Sequence, residues 1–542
     1  MARDLDGGRA VIHALERNGV RHVFGIPGDH TVPIYLGLSE SSIRHITVRH
    51  EQGAGFAADG YGRVSGRPGV AVVVTGPGVS NIATAMAEAT TDSAPVLVLS
   101  AEVPRADIGA GRDHNHELRD QRALAAGVTR WSERAMDVAA IGSLIDRAFR
   151  DLATGPAGAI HLGVPIDVLA ETGPVEDAPP ARGERPLPDP AAIEAAARAL
   201  DTAARPLVVV GGGARHAGSA VTALVERLGA PALSTWNGKG VLGDDHPLSA
   251  GGGFHHDAAL AMLTESDVVL AIGTRLGRSD FWSSPVAVAG RLIRIDIDAA
   301  ALTVNATPAI PVHADASLAA DALTAAIRAR PPATERAGAA RAAIDAATAI
   351  LGERHRPWLG AFREALPPET AIVADSTTVT YVGYRWLPVP TTGRWLYPSS
   401  FGTLGYALPA AIGAGVAEPG RPAAVLIGDG GFLFTCPELL TAAEQGRPLP
   451  VLLWNDRGFG SIRLGMQQAG MEPVGVEFAV PDLSALAAGF GARYAAPRTP
   501  QELGRVTRDA LRHPGPTLIE MDDRLAGPPV GTRPAGTQPE AH

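Results

Sequence analysis

The sequence predicts an α/β fold of three doubly wound parallel-sheet domains. The chain has 542 residues, too many for one hydrophobic core, and domains of about 100–200 residues make roughly three the expectation. Short apolar strands alternate with amphipathic helical stretches along the chain, the pattern of a parallel sheet covered on both faces. Glycine-rich turns follow several of those strands.

The elements come in this order. Residues 8–18 read as an amphipathic helix, and 20–24 as a strand running into Gly25-Ile26-Pro27-Gly28. A helix (33–40), a strand (43–48) and a helix opening at Glu51 follow. Strand 70–74 meets Thr75-Gly76-Pro77-Gly78, residues 81–88 are helical, and 96–100 is a strand again. Residues 155–168 close a first domain, taken as 1–170, and a linker rich in Pro, Glu, Asp and Arg covers 171–190. A second α/β domain spans 189–330 and contains Leu207-Val208-Val209-Val210 before Gly211-Gly212-Gly213. An alanine-rich helical connector leads to a third, 356–524, and the Gly/Pro-rich stretch 525–542 reads as a mobile tail.

Composition excludes some functions. A net charge of −10 argues against nucleic acid as a partner, because neutralising phosphates needs a basic face. Cys436 is the one cysteine, so no internal disulfide can form and a reducing compartment fits. The N-terminus is charged throughout and no run of 18 apolar residues occurs. No signal peptide or membrane partner is expected, and the expected location is cytoplasmic.

The third domain carries the informative spacing. Val425-Leu426-Ile427 leads into Gly428-Asp429-Gly430, and 24 residues later a second strand delivers Asn455-Asp456. Two strand ends thus present oxygen ligands at the carboxyl edge of a parallel sheet, where open α/β sheets bind ligands. The N-terminus of a helix after Gly430 would favour phosphate. Mg²⁺ takes oxygen ligands in octahedral geometry, often shared with a diphosphate. Asp429, Asp456 and the backbone carbonyl near Gly458 supply three. A tight turn and an ordinary loop are the competing reading.

With that pair in place, the chain resembles the thiamine-diphosphate-dependent family that includes acetolactate synthases, benzaldehyde lyase and 2-oxo acid decarboxylases. The family carries the same Gly-Asp-Gly and spacing but ends in Asn-Asn, where this chain has Asp456. The extra negative charge is expected to leave Mg²⁺ binding intact and to alter its pH dependence. The resemblance makes the domains pyrimidine-binding, central Rossmann-like and diphosphate-binding in turn.

It also assigns residues. The stretch from Arg49 to Tyr61 looks like the family's glutamate motif, which makes Glu51 the acid that bonds the cofactor's aminopyrimidine and promotes loss of the thiazolium proton. Without the motif, a glutamate at a helix start compensates the helix dipole. In the segment from Ser399 to Gly413, Gly402 would accept the pyrimidine amino group and Leu404 would wedge the cofactor into its bent form; plain core packing is the alternative for Leu404. Ser376, Thr377 and Thr378 follow strand 371–374 and suit diphosphate oxygens, or else cap a helix. The loops of Pro27 and Thr75 resemble pocket-lining family loops. His30 and His116 are substrate candidates; His116 stands where acetolactate synthases commonly carry glutamine. His114, His116 and Glu117 suggest zinc only weakly, for want of a further ligand at fitting spacing.

Similarity further implies a homodimer or homotetramer with active sites between subunits. In acetolactate synthases the central domain holds FAD, and in other relatives it is empty or holds another nucleotide, so beside thiamine diphosphate and Mg²⁺ the resemblance leaves FAD open as a further cofactor. The first functional expectation is decarboxylation of a small-molecule 2-oxo acid followed by ligation of the remaining fragment to a carbonyl acceptor. The alternative is release of an aldehyde, because HEQGAGFAADGY, TGPGVSNIATAMAEA and HELRDQRALAAGV look closest to 5-guanidino-2-oxopentanoate decarboxylases and acetolactate-synthase-like proteins. A guanidino substrate would need a pocket acid, with Glu117, Asp120 and Glu477 as candidates. A flavin or nicotinamide oxidoreductase is disfavoured because Gly211-Gly212-Gly213 is not a G-x-G-x-x-G loop. Retention of Glu51 and of the Gly-Asp-Gly pair argues against a non-catalytic relative.

Overall fold

The computed structural model describes residues 3–181, 183–282 and 286–527. It contains three six-stranded sheets, every neighbouring pair within them parallel. The expected α/β class with three parallel-sheet domains is therefore what the chain adopts.

A short antiparallel pair joins β1 (Arg3–Asp6) to β8 (Thr172–Val175). The stretch 171–190, expected to be linker throughout, thus contributes a strand. The first sheet comprises β2 (His22–Gly25), β3 (Arg44–Thr47), β4 (Gly69–Val73), β5 (Val96–Glu102), β6 (Trp131–Arg134) and β7 (Ala159–Pro165), in the order β3-β2-β4-β5-β7-β6. β4, β5 and β7 are buried along their whole length, as continuous apolar strands covered on both faces must be. The helix expected at 81–88 runs Pro77–Thr91. It starts a turn early because Gly76, at φ +65°, turns the chain out of β4 and Pro77 occupies the first helical turn, where no amide is missed.

The second sheet holds β9 (Pro206–Val210), β10 (Ala232–Ser234), β11 (Ser249–Gly252), β12 (Val268–Ile272), β13 (Arg291–Asp296) and β14 (Ile310–His313), ordered β11-β10-β9-β12-β13-β14. The third holds β15 (Ala371–Ala374), β16 (Trp395–Leu396), β17 (Ala423–Gly428), β18 (Leu449–Asn455), β19 (Arg493–Ala495) and β20 (Pro516–Asp522), ordered β16-β15-β17-β18-β20-β19. In the first sheet the order in which strands are added reverses between β2 and β4, and in the third between β15 and β17. Crevices at the carboxyl ends of such strands are where doubly wound folds place ligands.

Compactness groups the chain into two units. One comprises Met1–Arg185, Phe401–Gly420 and Thr435–Gly446; the other comprises Pro186–Ser400, Arg421–Phe434 and Arg447–His542. Within the first, the helices Glu51–Ser65 and Ala407–Ala417 meet backbone to backbone. A Cβ on Gly60 would fall 2.0 Å from the Ala410 carbonyl oxygen, and one on Gly413 would fall 1.8 Å from that of Ala57. Only glycine permits that approach. Tyr406, just before the second helix, donates its hydroxyl to Asp59 at 2.6 Å, and Arg63 grips the same carboxylate through Nε (2.6 Å) and Nη2 (3.1 Å). All three side chains are buried. The tail expected from 525 begins as part of a 3₁₀ turn, Asp523–Ala526; residues 528–542 lie outside the described residues. Among the described residues, no helix is long and apolar enough to cross a membrane.

Candidate active site

In the first unit, Glu51 opens the helix Glu51–Ser65, with the His50 ring accepting from the Gln52 amide as a cap. The Glu51 carboxylate is half-buried and accepts from Asn81 Nδ2 at 2.9 Å. Asn81 lies on the helix that follows the Thr75-Gly76 turn, so that turn and Glu51 are tied together. Nothing in the spacing of Glu51 and Asn81 marked this bond in advance.

Beside the turn, His30, Thr75 and His116 come together. The His30 Nδ1 lies 2.9 Å from Thr75 Oγ1, and both residues are buried. The His116 ring stands edge-on to His30 at 5.2 Å between centroids, and His114 adds a third ring at 5.7 Å. Burial first, then the neighbouring His116 and His114, lowers the pKa of His30. Gly76 makes this assembly geometrically tight, since a Cβ there would lie 2.2 Å from the His116 carbonyl oxygen. Its amide donates to buried Gln121 Oε1 at 2.7 Å, another partner that sequence reasoning missed. Pro27 is exposed one turn away.

Two of the three candidate pocket acids are occupied. Glu117 accepts from the Gly111 and His114 amides, each at 2.9 Å, and so shapes the histidine loop. Asp120 caps the helix Gln121–Ala126 and pairs with Arg134 at 3.0 Å. Among the described residues, no group of three or more His, Cys, Asp or Glu side chains has the geometry to hold a metal ion.

Of the pyrimidine-segment residues, Gly402 is exposed with φ +72°, and a Cβ there would meet nothing within 4 Å. Its left-handed conformation is what favours glycine. Leu404 is half-buried.

In the second unit, Gly428 ends β17 and Asp429 opens the short helix Asp429–Thr435. Asp429 is buried and accepts from the Gly458 amide at 3.0 Å. A Cβ on Gly428 would sit 2.5 Å from Thr377 Oγ1, and one on Gly430 would sit 2.7 Å from the Phe459 ring. These glycines let the turn nest between the β15 loop and the loop after β18. Thr378 is committed to Ser461, Oγ1 to Oγ at 2.8 Å, while Ser376 Oγ reaches Tyr397 Oη at 3.4 Å.

Asp429 lies close enough to Asp456 for its charge to act on the Asp456 carboxyl. Burial, and then the Asp429 charge, pushes the Asp456 carboxyl up to about 7. Two neighbouring carboxylates, one of them buried, resist ionising together without a cation between them. The donor set, two carboxylates at adjacent strand ends beside a glycine turn, therefore fits a hard divalent ion. Asp456 also borders a cavity of about 560 Å³ lined by Arg463, Glu477 and Phe478. Glu477 lies on the strand-like stretch that bridges Gly458.

In the second sheet, the loop Gly211-Gly212-Gly213 is explained by packing. A Cβ on Gly211 would lie 2.3 Å from the Gly273 carbonyl oxygen, and one on Gly213 would lie 2.9 Å from Gly273 Cα. Arg294 spends its guanidinium on the carbonyls of Thr274, Leu302, Val304 and Ala306.

Three family models match the chain: "Thiamine pyrophosphate enzyme, N-terminal TPP binding domain" over residues 5–124, the central domain over 193–323, and the C-terminal TPP binding domain over 375–521. The "Probable 2-ketoarginine decarboxylase AruI" of Pseudomonas aeruginosa is 42% identical over 528 residues, covering 96% of this chain and 94% of that protein. The acetolactate synthase large subunit of Parasynechococcus marenigrum is 31% identical, covering 96% and 88%. Acetolactate synthase isozyme 1 large subunit of Escherichia coli is 29% identical, covering 95% and 93%.

Proposed function

The chain belongs to the thiamine pyrophosphate enzyme family, as a thiamine-diphosphate-dependent enzyme of the 2-oxo acid decarboxylase kind, and on that premise we propose that it releases the decarboxylated fragment as a free aldehyde. The observation that carries this reading is the gradient of similarity: 42% to a protein named as a decarboxylase against 31% and 29% to acetolactate synthases, each over 95–96% of this chain. Ligation, the first expectation from the sequence, is the less supported outcome.

Thiamine diphosphate supplies the centre on which CO₂ is lost and negative charge is stabilised. The remaining roles fall to the chain. Asp429 and Asp456, with the Gly458 carbonyl, would hold Mg²⁺ against the diphosphate, and Ser376, Thr377 and Thr378 border that place. Glu51, steadied by Asn81, would bond the aminopyrimidine, with Gly402 and Leu404 on its other sides. Gly428 and Gly430 permit the close turn around the ion. FAD carries no step. The domain limits 1–170, 189–330 and 356–524, a homodimer or homotetramer, and a cytoplasmic location belong to the same proposal.

Aldehyde release needs one proton at the carbon that lost CO₂. His30, His114 and His116 form a cluster of imidazoles in the first unit, and imidazole is the side chain best suited to proton transfer near neutral pH. For the substrate we infer a guanidino 2-oxo acid. With Glu117 and Asp120 engaged, exposed Glu477 beside Asp456 is the acid open to a cationic end.

The test is CO₂ release from 5-guanidino-2-oxopentanoate and from pyruvate, with thiamine diphosphate and Mg²⁺, with and without FAD, and products read by mass spectrometry. An aldehyde from the guanidino acid alone supports the proposal. Acetolactate from pyruvate overturns it in favour of ligation. In the same assay, His30→Ala and His116→Gln are each expected to slow aldehyde release about a hundredfold. Wild-type rates in both variants would remove the histidine cluster from proton delivery.

A further inference from the structure

We infer that Glu438, on a helix some 390 residues from the glutamate motif, is the positioning residue for Glu51; the inference rests on the catalytic role proposed for Glu51. Glu438 opens the helix Glu438–Glu444 and is 1% exposed. Its Oε1 accepts from the Arg49 amide at 2.9 Å and from the His50 amide at 3.2 Å, while its Oε2 accepts from Thr441 Oγ1 at 2.6 Å. The two amides belong to the residues immediately before Glu51, where the chain leaves β3 and has not yet entered the helix. They have no place in a strand ladder or a helical turn there, and the carboxylate they bond is a buried charge that is costly to leave without donors.

The chain is built around this carboxylate. A Cβ on Gly53 would lie 2.3 Å from Glu438 Oε1, so only glycine lets the helix start come this close. The same short helix holds the strand before it: Arg49 pairs with Glu444, and Arg44 donates to Gln445 at 2.8 Å. Burial raises the carboxyl of Glu438, and hydrogen bonds from backbone amides are the compensation for placing it there. Asn81 fixes the Glu51 carboxylate and Glu438 fixes the backbone it springs from. Displacing a catalytic group by about 1 Å costs on the order of a hundredfold in rate.

The test compares wild type with Glu438→Ala and Glu438→Gln by three readouts. These are kcat and KM of the enzyme loaded with thiamine diphosphate and Mg²⁺, cofactor affinity by tryptophan fluorescence, and hydrogen–deuterium exchange of the amides of residues 49–53 without cofactor. Alanine is expected to lower kcat about a hundredfold with KM little changed and to speed exchange at 49–53. Glutamine keeps the acceptor oxygen and is expected to restore both. If the alanine variant does not fold, Gly53→Ala pushes on the same carboxylate and is expected to give the same pair of changes. Wild-type kcat in the alanine variant overturns the inference. So does a loss of kcat in both variants with exchange at 49–53 unchanged, because position is then not what was lost. A wild-type enzyme inactive on both test acids sinks the substrate reading alone; faster exchange at 49–53 with weaker cofactor affinity in the alanine variant, both restored by glutamine, still supports this one, and the absence of both changes overturns it.

Discussion

Glu51→Gln is expected to lower CO₂ release about a thousandfold while the protein stays folded and binds its cofactor. General acid–base groups contribute about 10²–10⁴ in rate. The substitution removes the ionisable proton site and little else. Glutamine is the same size, its amide oxygen can still accept from Asn81 Nδ2, now 2.9 Å from the carboxylate, and the helix start is held independently through the backbone of Arg49 and His50. The expected signature is therefore a kcat effect with KM and melting temperature near wild type. Activity within tenfold of wild type would take the proton role away from Glu51.

Metal removal is expected to have an effect as large. Dialysis against a chelator should abolish activity, and Mg²⁺ with thiamine diphosphate should restore it. The pH dependence follows from Asp456. Its carboxyl, raised to about 7 in the metal-free protein, must lose its proton for the ion to bind. Affinity is then expected to rise about tenfold per pH unit up to pH 7 and to flatten above it. The same shift has a sign for stability. A carboxyl with a raised folded-state pKa favours the metal-free fold below its unfolded value, about 3.9, and that contribution is lost as pH rises through 7. Mg²⁺ with cofactor should thus raise the melting temperature more at pH 8 than at pH 6. Asp456→Asn removes the titrating group and is expected to flatten both profiles. An unchanged slope in that variant would show that another group carries the proton.

The alternation of strand-like and helix-like stretches located β2, β3, β4 and β5 within one or two residues; β4 and β5 are continuous buried runs that local pattern suffices to see, while the more polar β2 and β3 showed by their place between helical stretches. The Gly-Asp-Gly turn and its distant Asp456 were equally legible, since both sit at strand ends and their spacing is one crossover. Asn81, Gln121 and Glu438 were not. Each acts on a partner brought near by the fold, up to 389 positions away in the case of Glu438 and Arg49. A glutamate at a helix start looks the same whether it faces water or two backbone amides. Gly53 held the one local hint, an unforced glycine in the first turn of a helix. The strand within 171–190 was not legible for a related reason: β8 is short and half-exposed, and only pairing with β1 makes it a strand.

The first compact unit draws on Phe401–Gly420 and Thr435–Gly446 as well as on the first 185 residues. A ribosome delivers the chain from its N-terminus at about 5–20 residues per second, so roughly 14–56 seconds pass between the first sheet's last strand and the arrival of residue 446. For most of that interval the helix Glu51–Ser65 has neither Tyr406 for Asp59 nor the Ala410 backbone for Gly60. The nascent N-terminal portion carries its future seam uncovered, and the last part of that unit to close is the part that seats Glu51.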